Sequence, residues 1–187
     1  MLSSDAETNF YHNNNHLKTI FMKQSLTQLV CSGDYVSFAR LVFRENLKGV
    51  SKEEFEEFYK IAPSNWAMTV LEKTAPSVEE QVIIVKNQDA RVIDFCARLY
   101  GIYGKTVSQI LRKGSDDDVK RVIAALRSKP SAEVEKELIE RGNSDLFELW
   151  IKKFKSLEED NERLICEDES LSYLKNVYID FIINEDE

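Results

Sequence analysis

Residues able to do chemistry are scarce in this chain, and their spacing is unhelpful to it. His12 and His16 are its two histidines. Four apart on a helix, they would point the same way and could hold a metal. Three asparagines separate them, with no carboxylate or cysteine close by, so the pair reads as part of a polar terminus. A Ser-His or Cys-His catalytic pair has no histidine to draw on elsewhere. Asp116, Asp117 and Asp118 form the densest acidic run. They fall where a helix should begin, and carboxylates there suit the positive end of its dipole. Gly101 and Gly104, in LYGIYGK, lie too far from any strand signal to make a phosphate loop. Cys31, Cys96 and Cys166 are odd in number and far apart. Each falls beside apolar residues in a predicted helix and reads as a buried, reduced thiol. The expectation is a protein that is not an enzyme and carries neither metal nor cofactor.

Composition narrows the class. Hydrophobic residues at 43% and charged residues at 31% give a globular chain, and 187 residues suit one domain with a sizeable core. Six glycines and three prolines are too few for a turn-rich β protein. A net charge of −8 disfavours non-specific binding to nucleic acid or acidic membranes. The opening MLSSDAETNF has neither a basic region nor an apolar run, and no stretch is long enough to span a bilayer. A cytoplasmic setting is expected. Residues 1–14 read as a disordered or frayed terminus, 15–183 as a single helical repeat domain, and 184–187 as an acidic tail.

The elements that must position everything else are helix hairpins. In EKELIERGNSDLFELWIKKF, Val134, Leu138 and Ile139 share a helical face. Gly142 supplies a helix stop, and Asn143 or Ser144 can cap the next start. Leu146, Phe147, Trp150, Ile151 and Phe154 then recur at helical spacing. Helices joined by so short a turn must run antiparallel. The pattern returns at Gly33, Ala62, Asn87, Gly114, Gly142 and Asp168, in steps of 25 to 29 residues. Such a period marks stacked units that cannot bury a face alone. A first helix is expected over 16–31. Ser51 with Glu54, Ser77 with Glu80 and Ser156 with Glu159 read as capping boxes, Ser115 with Asp118 as a weaker one. Pro63, Pro76 and Pro130 all fall between helices.

From this rhythm, and from turns such as Arg141-Gly142-Asn143, residues 16–183 resemble HEAT- and armadillo-like α-solenoids in a short-period, bacterial style. The resemblance implies an all-α fold, a right-handed α-solenoid of about six antiparallel helix hairpins. It also implies a protein-binding scaffold rather than an enzyme.

Charge follows the same rhythm. The first helix of each hairpin carries most of the glutamates, and the second carries Arg40, Arg44, Arg91, Arg98, Lys120, Arg121, Arg127, Lys152 and Lys153. In a solenoid the second helices usually line the concave wall, so an acidic chain can hold a basic groove; dipole matching accounts for the same pattern. Trp66, Trp150, Phe38, Phe95 and Phe147 follow the turns and read as core. Tyr100 and Tyr103 interrupt the rhythm and read as an exposed patch. The expected partner-binding residues are Arg91, Arg98, Tyr100, Tyr103, Arg121 and Lys152. The expected function is a non-catalytic interaction module whose concave surface binds a protein partner. A nucleic-acid-associated repeat using the basic face is the alternative.

Overall fold

The computed structural model describes residues 24–185, which are all-helical, with no strand among them. Among the described residues twelve α-helices pair into six hairpins: α1 (Leu26–Ser32) with α2 (Tyr35–Phe43), α3 (Lys52–Ile61) with α4 (Ser64–Leu71), and α5 (Val78–Asn87) with α6 (Ala90–Tyr100). Then come α7 (Gly104–Lys113) with α8 (Asp116–Ala125), α9 (Ala132–Arg141) with α10 (Ser144–Phe154), and α11 (Glu159–Glu167) with α12 (Ser172–Glu185). A 3-10 turn, Glu169–Leu171, joins the last pair. All six hairpin turns lie where the sequence period puts them.

Local chemistry sets most starts. Ser77 and Glu80 form a full capping box on α5, as the S-x-x-E spacing predicts. Asp34, Ser51, Asp89 and Asn143 accept from the first turns of α2, α3, α6 and α10. Ser115 and Asp118, the weaker pair by type, form a complete box on α8. Four expectations are corrected. Helix α1 begins at Leu26, because Ser25 and Gln28 cap it there; residues 16–23 of the expected first helix lie outside the described residues, as do His12, His16 and the expected frayed terminus. Ser156 and Glu159 form no box: α11 starts after Glu158, since Leu157 is drawn into the core and holds the preceding chain extended. Glu54 does not return to Ser51 but accepts the backbone N–H of Leu26 at 2.5 Å, one hairpin back. Asn184 and Glu185, expected in the tail, belong to α12.

The odd-numbered helices make one layer and the even-numbered ones a second. Each odd helix from α1 to α11 packs on the next odd one, and α4, α6, α8, α10 and α12 pack likewise in series. At the head of the second layer Trp66 of α4 stacks on Phe38 of α2, ring centres 4.3 Å apart. Leu138, Ile139, Leu146, Phe147, Trp150 and Ile151 are buried between the layers. Full burial of side chains this large contributes about 1.5–3 kcal/mol each. Phe95, expected in that core, is only half-buried. Cys31 and Cys166 are exposed at the ends of their short helices rather than buried; Cys96 alone is interior.

Polar side chains fix each hairpin on its neighbour. Those that bond across hairpins span 20 to 36 residues, about one repeat. Gln88 donates to the carbonyls of Tyr59 and Ala62, closing the end of α3 at 2.6 and 3.1 Å. Glu135, fully buried, accepts from Trp150 Nε1 (3.2 Å), Asn161 Nδ2 (2.8 Å) and the Glu158 backbone (2.8 Å), with Lys129 Nζ at 3.3 Å. A buried carboxylate persists only when so completely partnered.

Candidate functional site

The last turns of the second-layer helices are where the sequence places cations, because unpaired carbonyls make that end electronegative. The structure gathers three of them. Arg98, in the last turn of α6, meets Asp94 one turn earlier, Nη2 to Oδ2 at 3.0 Å. Arg127, just past the end of α8, reaches across to the other oxygen of the same carboxylate. Lys153, in the last turn of α10, donates to the carbonyl of Ala124 at 2.7 Å, beside Arg127. Partial burial, and then repulsion from Arg127, hold the Lys153 ammonium below its usual pKa. Arg98 and Arg127 therefore share one carboxylate, with Lys153 beside Arg127, and the cluster keeps an excess of positive charge in a chain of net −8. Arg98, Arg127 and Asp94 are each about half exposed. Leu99 and Leu149, on α6 and α10, are exposed as well.

The residues expected to bind a partner scatter around this cluster. Arg98 is in it. Arg91 sits at the opposite end of α6, held by Asp89 at 2.8 Å. Arg121 donates to the carbonyls of Val85 and Lys86, at 2.7 and 3.3 Å, and so closes the end of α5. Lys152 pairs along its own helix with Glu148 at 2.5 Å. Tyr100, half-buried, donates its hydroxyl to the carbonyl of Leu71 at 2.5 Å, and burial raises its pKa. Tyr103 caps α7, and its backbone N–H donates to Gln81.

That last contact explains the LYGIYGK irregularity. Gln81 is fully buried, donates to the carbonyl of Gly101 at 2.9 Å, and accepts from Tyr103 N at 3.0 Å and Thr106 Oγ1 at 2.9 Å. Gly101 turns the chain there at φ +71°, a conformation that suits a residue without Cβ. The segment is a clamped connection between hairpins.

Arg127 and Lys153 stand among the second-helix cations read from the sequence but outside the expected binding set, and Asp94 was not singled out. A signal for the cations existed, since residues 98, 127 and 153 recur at the repeat interval. Nothing local marks Asp94, whose second partner lies 33 residues away.

Other chemistry stays sparse. Among the described residues no group of three or more His, Cys, Asp or Glu is placed to hold a metal ion. The Cys96 thiol is pushed up to about 12 by burial, far from a reactive thiolate. Asp116 binds Arg141 at 2.6 Å and Asn143 at 2.8 Å, tying α8 to the next hairpin. No described helix is long and apolar enough to cross a membrane. Comparison with known proteins finds no family model, no curated protein and no solved structure that matches the chain.

Proposed function

We propose that the chain is a right-handed α-solenoid of six antiparallel hairpins, and that it serves as a non-catalytic interaction module. Its second-helix layer is the concave, partner-facing wall, and the partner is a protein. The observation that carries this reading is a cluster of Arg98, Arg127 and Lys153, one from each of three successive hairpins, in which the two arginines share the carboxylate of Asp94 and Lys153 lies beside Arg127. A layered stack spreads its surface along one axis, and a partner lying across several repeats gains contact area without a deep pocket. Arginine with exposed leucine beside it is the composition of a binding surface's anchors and apolar contacts. Free cysteines, two of them exposed, suit a reducing compartment such as the cytoplasm.

The test is capture from a native lysate by the intact protein and by an R98E/R127E variant, with proteins identified by mass spectrometry. A partner retained by the first and lost by the second marks the wall as its docking surface. Identical captures would remove the cluster from that role. The same cations could serve phosphates, so a gel shift at low salt on single- and double-stranded nucleic acid belongs beside it; strong retardation that collapses with salt would favour the nucleic-acid reading.

A further inference from the structure

We infer that the Arg98–Arg127–Lys153 strip takes an extended acidic peptide, with a carboxylate at about every third residue, and that Asp94 occupies the central position in its absence. The inference rests on the proposed partner-facing wall and specifies what that wall accepts. The strip continues beyond the cluster. Arg44 lies at the end of α2 and Lys73 just past the end of α4, so Arg44, Lys73, Arg98, Arg127 and Lys153 give one cation from each of the first five hairpins at the same end of the layer, 25 to 29 residues apart.

Spacing selects the ligand. Packed helices lie about 8–10 Å apart, so cations on successive helices repeat at about that distance. An extended polypeptide advances about 3.3 Å per residue, and three residues span about 10 Å. A peptide crossing the layer would offer one side chain per helix at this step. Carboxylate also matches the fork of an arginine with two parallel N–H bonds. A nucleic-acid strand brings charge more densely than one cation per hairpin can neutralise, and the chain's net charge of −8 repels it.

Asp94 shows that a carboxylate fits. Its two oxygens are divided between Arg98 and Arg127, the arrangement an incoming Glu or Asp would reproduce. All three side chains are solvated, so exchanging one carboxylate for another costs little. The edge also carries Glu45 and Glu72, and Lys73 lies over the Phe43 ring at 4.9 Å. Exposed Phe43, Leu99 and Leu149, on α2, α6 and α10, offer apolar contacts on the same helices.

The experiment is fluorescence anisotropy of the full chain with three fluorescein-labelled probes: a short peptide with glutamate at every third position, its isomer with the glutamates contiguous, and an oligo-dT of similar length. The spaced peptide is expected to bind in a saturable, salt-sensitive way and more tightly than either other probe. D94N, which removes the resident anion, should tighten it several-fold. R98Q/R127Q should weaken it by about tenfold or more, and R98K/R127K, which keeps charge without the fork, should fall between. Circular dichroism confirms that each variant is folded. The proposal is overturned by no saturable binding to either wild type or D94N, by tighter binding of oligo-dT, or by a D94N affinity no higher than wild type. If a lysate partner is still lost on R98E/R127E while the peptide fails, the docking wall stands and the peptide class falls; if neither responds, both fall.

Discussion

Glu135 and Asp89 are carboxylates with opposite relations to water, and the stability each supplies differs accordingly. Glu135 is sealed among four donors that themselves lie at the joint between the fifth and sixth hairpins. Replacing it by alanine strands the Trp150 indole N–H and the Glu158 backbone N–H and leaves the Asn161 amide with the Ala132 carbonyl alone, so E135A should cost about 3 kcal/mol in urea unfolding. A loss under about 1 kcal/mol would mean the network adds little to the joint. Asp89 faces solvent. It caps α6 through Arg91 N and Val92 N, accepts Ser64 Oγ of α4 at 2.7 Å, and binds the Arg91 guanidinium. The Arg91 side chain first, then the Ser64 hydroxyl, holds its carboxyl down at about 2, below the ordinary 3.8. The folded state thus binds this proton less readily than the unfolded chain, so its contribution is complete above the ordinary value and fades as pH falls toward about 2. D89A should cost about 1 kcal/mol near neutrality, mostly for the lost cap, and that gap should narrow through the same acid window in pH-dependent unfolding. A gap independent of pH would mean the ionised form has no special standing.

At the scale of elements, glycine position separates helix stops from helix starts. Gly142 closes α9 at φ +69°, and a Cβ there would sit 2.8 Å from the Tyr173 hydroxyl, which donates to the Gly142 carbonyl. G142A should therefore lose about 1–2 kcal/mol. Gly104 opens α7 with nothing within 4 Å of an added Cβ, so G104A should gain about 0.5–1 kcal/mol. Thermal midpoints moving in opposite directions would check both. The stop at Gly142 was legible in the sequence because its cause is local: a residue without Cβ between two apolar stripes. The turn positions and most caps were legible for the same reason. Where the cause lay one hairpin away, local reading went astray. Glu54 turns to Leu26 instead of Ser51, Leu157 shifts the start of α11, and Arg121 and Tyr100 close the ends of neighbouring helices. Of the cluster, the cations were visible as a dipole-matched set, but the meeting of Arg98 and Arg127 at Asp94 depends on which hairpin lies beside which.

The whole molecule is held by contacts between neighbours in sequence order, and this sets how it should come apart. Helices pack on the helix two along, and cross-hairpin hydrogen bonds reach about one repeat. With little joining distant repeats directly, stability is close to a sum of local units and their joints. Damage should then stay near its site. Leu174 of α12 is fully buried, and α12 lies on α10 and α11. L174A removes about 2–3 kcal/mol from that end by leaving a cavity, which corresponds to about a hundredfold faster amide exchange wherever opening is confined to the unit. Hydrogen exchange read by mass spectrometry should show this in α10 to α12 and leave α3 to α6 close to wild type. Loss of protection spread evenly over all helices would mean that the hairpins unfold as one cooperative body, and that joints such as Glu135 and Gln81 couple them more strongly than the helices' own packing does. A localised response would instead leave Arg98 and Arg127, at the ends of α6 and α8, independent of the final hairpin, so that they keep their meeting at Asp94 when that end is weakened.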